Sequence, residues 1–216
     1  MVISDTHNFI YIRVPKNAST SLATFFVKNY CNVNDKWTTI GDAGIPTSNI
    51  SKEVIAKYRK QYRFIHLTLN EIIQEGIITE ANARSKKIIG VVRNPLERQL
   101  SLYFFLNRQK SSQATVSQFR SVMQKGFYQS DGSNHILQTD YLKIGEQSVG
   151  EFWKYDKLDD HLEDFISEHG QPMFPLKSFK SNFKPKKQDL ISEYYDAPTR
   201  KAVEEYFAKD FEIYEN

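Results

Sequence analysis

Three short apolar runs along the chain have the pattern of buried β-strands. They cover residues 9–14, 63–67 and 87–92. The first and third consist mainly of Ile, Val and Tyr, without the apolar–polar alternation of a strand that faces water on one side. Such near-continuous runs are typical of parallel strands that are covered on both faces. The pattern therefore predicts strands inside a sheet.

A helix signal follows each of these runs. Residues 20–29 carry apolar side chains on one helical face, and residues 68–71 have the Thr-x-x-Glu sequence of a capping box. Residues 94–108 begin with Asn-Pro, a favourable N-cap and first-turn pair. Further helices are predicted at residues 51–61, 115–125, 134–142, 159–168 and 198–209.

Strands that alternate with helices predict an α/β fold with a mainly parallel central sheet, and a fourth strand is predicted at residues 151–155. The length of 216 residues, with 40% hydrophobic and 25% charged residues, is that of one soluble globular domain, residues 1–216. Ligands of such sheets bind at the carboxyl ends of the strands. Residues 15–21, 66–68 and 93–95 are therefore predicted to share one edge.

The first of these segments lies within residues 15–22, which have the sequence PKNASTSL. Three consecutive hydroxyl residues are poor helix interior, because Ser and Thr compete for backbone hydrogen bonds. They suit a helix N-terminus, where free N–H groups and the helix dipole attract an anion. The segment is not a Walker A loop, since it has no glycine and its lysine precedes the hydroxyl residues. A well-capped helix after a turn, without a ligand, is the alternative.

The third segment supplies further groups that bind anions. Arg93 ends the strand at residues 87–92, and Ser101 lies about two turns into the next helix. A guanidinium and a hydroxyl that converge in this way suit a terminal phosphate. The alternative is an ordinary ion pair of Arg93 and a Ser101 side chain that faces solvent. Because this strand ends in arginine and not in a carboxylate for Mg²⁺, a metal-assisted kinase is disfavoured.

Together, the two segments resemble the family of sulfotransferases that use 3′-phosphoadenosine 5′-phosphosulfate (PAPS). PKNASTSL is similar to the 5′-phosphosulfate loop of that family. RNPLERQLS, residues 93–101, is similar to its 3′-phosphate segment, with the same eight-residue step from arginine to serine. Residues 93–108 also resemble the uronosyl 2-O-sulfotransferases, within a carbohydrate branch whose later helices are similar to residues 162–166 and 206–216. The resemblance spans most of the chain.

This resemblance implies a P-loop-like nucleotide-binding fold, PAPS as the sulfuryl donor, no metal ion and a hydroxyl-bearing acceptor, with a saccharide expected. It implies that Lys16 is catalytic and lies beside the bridging oxygen and the 5′-phosphate. Arg93 and Ser101 would hold the 3′-phosphate. The other residues that the resemblance assigns to the donor within this loop are Asn17, Ala18, Ser19, Thr20, Ser21 and Leu22.

The attacking hydroxyl also needs a base. His66 follows the second predicted strand, at the predicted ligand edge. The uronosyl 2-O-sulfotransferases use a histidine in this region, so the resemblance implies that His66 is the catalytic base. Glu71 is the alternative, since other sulfotransferase branches use a glutamate.

The lysine-rich segment, residues 169–188, contains five lysines and no carboxylate. Charge runs are ordinarily solvated. The family, however, closes a late loop over the nucleotide, and the resemblance places Lys184 among the donor-binding residues. The enzymatic alternative to a sulfotransferase is a nucleotide-dependent kinase. A non-catalytic module that binds nucleic acid or another polyanion through this segment is the alternative from another class.

Composition adds expectations about location and partners. The net charge of +3 is mild, and an enzyme of this kind is not expected to bind nucleic acid. The single cysteine, Cys31, cannot form an internal disulfide, which suits a reducing compartment. Neither a signal peptide nor an apolar run of the ~20 residues that span a bilayer is visible. A cytoplasmic protein without a membrane anchor is therefore expected.

Overall fold

The computed structural model describes residues 1–38, 50–58, 64–107, 115–126, 136–176 and 187–216. Its strands are β1 (Val2–Ser4), β2 (Phe9–Ile12), β3 (Lys36–Trp37), β4 (Lys87–Val92), β5 (Lys143–Ile144), β6 (Gln147–Ser148) and β7 (Glu151–Lys154). Its helices are α1 (Ser19–Tyr30), α2 (Lys52–Tyr58), α3 (Leu69–Gln74), α4 (Glu80–Arg84), α5 (Pro95–Leu106), α6 (Val116–Gln124), α7 (Leu158–His169), α8 (Lys187–Tyr194), α9 (Ala197–Tyr206) and α10 (Ala208–Glu215). Short 3-10 helices cover Gln138–Leu142 and Tyr155–Lys157. Among the described helices, none is long and apolar enough to cross a membrane.

The central sheet has the strand order β3-β1-β2-β4-β7. Strand β1 pairs antiparallel with β2 and β3, whereas β4 pairs in parallel with both β2 and β7. The register sets Ile12 beside Gly90 and Val92 beside Lys154. The carboxyl ends of β2, β4 and β7 therefore lie side by side. The predicted α/β fold with a mainly parallel sheet is confirmed.

Apolar side chains cover the sheet on both faces, as the near-continuous apolar runs predict. In β2, Ile10 and Ile12 belong to a cluster that includes α3, whereas Phe9 and Tyr11 belong to one that includes α1 and α7. A third cluster joins α5, α6, α8 and α9. Each large apolar side chain that is fully buried contributes about 1.5–3 kcal/mol. A one-residue slip of β2 would move Phe9 and Tyr11 to the face that Ile10 and Ile12 now occupy. The different packing on the two faces therefore fixes the register of the strand.

Residues 64–67 do not form the strand that the sequence predicts. They make a short 3-10 turn and a bend, and residue 63 lies outside the described residues. Strand β2 already has β1 and β4 as neighbours, so this run has no place beside it. Leu67 instead packs into the cluster that contains Ile12. An apolar run indicates burial, but it does not indicate which backbone will pair with it.

Most of the other predicted elements agree with the structure apart from their ends, but two predicted helices differ from it. Strands β4 and β7 lie where they are predicted, and the capping box of α3 is complete between Thr68 and Glu71. The predicted helix at residues 134–142 appears as the 3-10 helix Gln138–Leu142, with residues 134 and 135 outside the described part. The predicted helix at residues 198–209 is divided into α9 and α10.

Candidate active site

The loop between β2 and α1 has an unusual backbone for a segment without glycine. Lys16 has a φ of 69° and Ala18 a φ of 57°, both in the left-handed region. Ala18 is the N-cap residue of α1, and its side chain cannot accept a hydrogen bond from the helix. The first N–H groups of a helix have no partner within it, and left-handed residues in a turn make successive N–H groups converge. The backbone of residues 16–18 and the start of α1 therefore have features that favour anion binding.

This strain leads to a prediction for Ala18. Replacement by glycine is expected to raise the free energy of unfolding by about 0.5–1 kcal/mol. A left-handed conformation costs an alanine about 1–2 kcal/mol, and glycine does not have this cost. Part of the difference is offset because glycine makes the unfolded chain more flexible. Urea denaturation measures the change. Ala202→Gly in the interior of α9 is the control and should lower stability by about 1 kcal/mol. A destabilised Ala18→Gly protein would show that the loop is unstrained.

The side chain of Lys16 lies against α5. Its Nζ is 4.0 Å from the ring centroid of Phe105, which is half exposed. The carbonyl oxygen of Lys16 accepts a hydrogen bond of 3.4 Å from Nη1 of Arg93. The structure thus brings together the two segments that the sequence singles out. The guanidinium of Arg93 and the backbone of Lys16 are in contact at the carboxyl ends of β2 and β4.

Besides its contact with Lys16, Arg93 is held in place by two further side chains. Its Nε and Nη2 lie 3.1 and 3.0 Å from Oε2 of Glu97, and its guanidinium carbon lies 4.6 Å from the ring centroid of Tyr155. The sequence offers this ion pair as the alternative to phosphate binding, and it is present. Ser101 lies half-buried further along α5. Tyr155 follows β7 directly, and sequence reasoning did not single it out.

The loop residues differ in how far they are available to a ligand. Asn17 is fully buried, and its Nδ2 donates to Val91 O and to Gln138 Oε1, both at 2.6 Å, so its side chain is structural. Leu22 is part of the apolar cluster beneath α1. The hydroxyl of Thr20 accepts a hydrogen bond of 3.2 Å from Arg13. Ser19 is nearly buried and Ser21 half-buried.

Arg13 is a feature of the site that sequence reasoning missed. It is fully buried, and its guanidinium donates to Thr38 O at 2.6 Å and to Thr20 Oγ1 at 3.2 Å. Within the described residues no carboxylate lies at ion-pair distance from it, and burial lowers its pKa to about 10. At neutral pH it remains charged, so it gives positive potential next to the first turn of α1. An arginine inside the apolar run FIYIRV is the signal that could have identified it.

His66 does not follow the strand that the sequence predicts, because residues 64–67 form a short 3-10 turn and a bend, but it still lies beside the end of β2. Its Nδ1 is 2.7 Å from the carbonyl oxygen of Arg13, and the residue as a whole is half-buried. Because a carbonyl only accepts, Nδ1 carries the proton and Nε2 keeps its lone pair. Burial, together with the nearby charge of Arg13, lowers the pKa of His66 well below its usual range. The imidazole is therefore neutral at neutral pH, with the tautomer that a base acting through Nε2 requires.

Glu71 is already occupied by the capping box. Its Oε2 accepts from Thr68 N–H at 2.8 Å and from Thr68 Oγ1 at 3.1 Å. Within the described part of the chain, no three His, Cys, Asp or Glu side chains are grouped so that they could hold a metal ion. Lys184 and residues 177–186 as a whole lie outside the described residues.

The fold belongs to the class of α/β proteins with a central, mainly parallel sheet flanked by helices. A family model described as the sulfotransferase family matches residues 1–215. The chain therefore belongs to the sulfotransferase family, and the resemblance noted from the sequence is confirmed. No curated protein and no solved structure matches the chain.

Proposed function

We propose that this sulfotransferase moves the sulfuryl group of PAPS to a hydroxyl of a saccharide. The observation that carries the proposal is the meeting of two cationic segments, where Arg93 donates to the carbonyl of Lys16. PAPS has anionic groups at both its 5′ and 3′ ends. The left-handed loop and the N-terminus of α1 suit the 5′-phosphosulfate, while Arg93 and Ser101 suit the 3′-phosphate.

The chemistry of the proposed reaction is a single in-line transfer. The acceptor oxygen forms a bond to sulfur as its proton passes to Nε2 of His66. The bond from sulfur to the bridging oxygen breaks, and its electron pair remains on the 5′-phosphate of the product, 3′-phosphoadenosine 5′-phosphate (PAP). The ammonium of Lys16 stabilises that growing charge. His66 is tied to the backbone of Arg13, three residues before Lys16, which supports a shared reaction centre for the base and the cation.

Transfer of radiolabelled sulfate from PAPS to a panel of saccharides tests this function directly. Melting temperatures in the presence of PAP, ATP and GTP form the complementary measurement, because a ligand that binds only the folded state stabilises it. Stabilisation by PAP and not by ATP or GTP is the expected result. Stabilisation by ATP or GTP alone would favour a kinase, and binding of any polyanion that weakens steeply with salt would favour a non-catalytic module.

Arg93→Ala provides a sharper test of the 3′ site. PAP affinity is expected to fall about 10- to 100-fold, because a charge-assisted hydrogen bond contributes about 1.5–3 kcal/mol. Adenosine 5′-phosphate (AMP) lacks the 3′ group, so its affinity should change little. Isothermal titration calorimetry measures both ligands. Equal losses for PAP and AMP would mean that Arg93 serves only to hold the loop through Lys16.

Arg120→Ala is the matched control for Arg93. Arg120 also makes an ion pair, with Asp196 at 3.5 Å, and donates to the carbonyls of Glu193 and Tyr194, but it lies on α6. Its loss should lower the melting temperature and leave PAP affinity unchanged. The comparison separates an arginine that stabilises the fold from one that also binds the nucleotide.

A further inference from the structure

One carboxamide lies between the two anion-binding segments. Gln138 is fully buried, and its Nε2 donates to Arg93 O at 2.9 Å. Its Oε1 accepts from Arg93 N–H at 2.9 Å and from Asn17 Nδ2 at 2.6 Å. Arg93 therefore has both of its backbone polar groups satisfied by one side chain, much as a neighbouring strand would satisfy them. The same side chain also holds Asn17 in the loop after β2.

The backbone of Gln138 is itself anchored. Asp210, fully buried in α10, accepts from the N–H groups of Gln138 and Thr139 at 2.9 and 3.1 Å. Gly90 allows the 3-10 helix Gln138–Leu142 to approach β4, because a Cβ at that position would lie only 2.9 Å from Leu142 Cδ2. The carboxamide is therefore fixed relative to the sheet, and its hydrogen bonds hold Arg93 and Asn17 in fixed positions as well.

Arg98 connects the same anchor to the loop by a second route. It is buried, and its Nε donates to Pro15 O at 3.3 Å, while its charge interacts with that of Asp210. The backbone before Lys16 and the backbone of Arg93 are thus both linked to α10. None of Gln138, Arg98 and Asp210 has a role assigned in the proposed reaction.

We propose that Gln138 is a positioning residue that fixes the separation between the 5′-phosphosulfate loop and the 3′-phosphate segment. The inference rests on the proposed function, in which one ligand spans both segments. The two phosphates of PAP are held at a fixed distance by a single ribose. Both can bind with full affinity only when the two segments of the protein are already separated by that distance before PAP binds. Without the carboxamide, each segment keeps its own contacts to an anion but loses the preset spacing.

Gln138→Met tests the inference, because methionine has a similar length and no hydrogen-bonding amide. Calorimetry would give the dissociation constants of PAP, AMP and adenosine 3′-phosphate (3′-AMP) for the variant and the native protein. The variant should bind PAP at least about 10-fold more weakly, while AMP and 3′-AMP change less than about 3-fold. A fall in PAP affinity matched by 3′-AMP alone would mean that Gln138 serves only Arg93. Unchanged PAP affinity would also overturn the inference.

Gln138→Glu guards against a methionine variant that does not fold. The carboxylate keeps an acceptor for Arg93 N–H and for Asn17, but it cannot donate to Arg93 O. A smaller loss with the same selectivity for PAP is expected, and affinity equal to that of the native protein would contradict the inference. Gln124→Met is the matched control, because Gln124 also makes a hydrogen bond between helices, to Thr199 Oγ1 at 2.9 Å. It should lower the melting temperature and leave all three dissociation constants unchanged.

Failure of the proposed function gives a different result in the same experiment. A native protein that binds PAP no more tightly than AMP has no second phosphate site, whatever the variants do. The spacing inference fails when the native protein prefers PAP and the Gln138 variants either keep that preference or lose affinity for PAP and 3′-AMP equally. The two outcomes are therefore distinguishable from the native dissociation constants alone.

Discussion

Replacement of Lys16 with alanine is expected to lower turnover by about two to three orders of magnitude, with a much smaller change in PAP affinity. The proposed partner of its ammonium is the charge that grows on the 5′-phosphate as the bond to sulfur breaks, so most of the interaction exists only in the transition state. Steady-state kinetics with labelled PAPS and calorimetry with PAP measure the two quantities.

The surroundings of Lys16 support this division between binding and turnover. Its Nζ lies over the ring of Phe105 at 4.0 Å, and its backbone is held by Arg93. Removal of the side chain therefore leaves the loop in place, since the loop is fixed by the backbone of Lys16 and by Asn17. A raised Michaelis constant for PAPS with unchanged turnover would limit Lys16 to ground-state binding.

Lys36→Ala is the matched control for Lys16. Lys36 is also a half-buried lysine, but it lies on β3 and its ammonium donates to the carbonyl of Ile77. Its loss should lower the melting temperature without changing turnover or PAP affinity. If both variants lost turnover equally, general destabilisation would account for the effect at Lys16.

The parts of the fold and site that the sequence predicts are those with local signals. Strand β4 is a continuous apolar run, the cap of α5 is an Asn-Pro pair, and the capping box of α3 needs only four residues. Residues 15–22 and Arg93 could be placed together because each follows a predicted parallel strand. The rule that ligands lie at strand carboxyl ends then brings them to one edge.

The parts that the sequence does not predict depend on partners that are distant along the chain. Gln138 lies 121 residues from Asn17 and 72 residues from Asp210, and nothing in its local sequence marks it. Strands β1 and β3 contain three and two residues, too few for a period to be recognised. The run at residues 64–67 has a strand-like composition, but the neighbours of β2 are already taken.

The second large effect is expected at His66. His66→Asn should lower turnover roughly 10²–10⁴-fold, the usual scale for removal of a general base, while PAP affinity stays close to native. The asparagine amide lies near the position of Nδ1 and can still donate to the carbonyl of Arg13. It has no basic nitrogen in place of Nε2. The variant therefore separates the structural hydrogen bond of His66 from its proposed role in proton transfer.

The pH dependence of His66 gives an independent measurement. In the folded protein the pKa of His66 lies below its ordinary value of 6.5. At pH values between the folded and the unfolded pKa, His66 therefore binds more protons in the unfolded chain than in the folded one. The stability contribution is then complete above about pH 6.5 and is lost as the pH falls toward the folded pKa. The acid limb of the turnover profile should likewise lie below pH 6.5, and both effects should be absent in His66→Asn.

His161→Ala is the control that distinguishes a base from a histidine that only packs. The ring of His161 stacks on Trp153 with centroids 5.5 Å apart, and its Nε2 accepts from Lys154 N–H at 3.2 Å. Its loss should lower the melting temperature and leave turnover intact. If His66→Asn behaved in the same way, with native turnover at every pH, His66 would be structural.

The base would then be sought at Glu71, whose carboxylate would first have to leave the capping box with Thr68. If Glu71 is the base, Glu71→Gln should lose turnover. If His66 is the base, as proposed, Glu71→Gln should only weaken the N-terminal cap of α3.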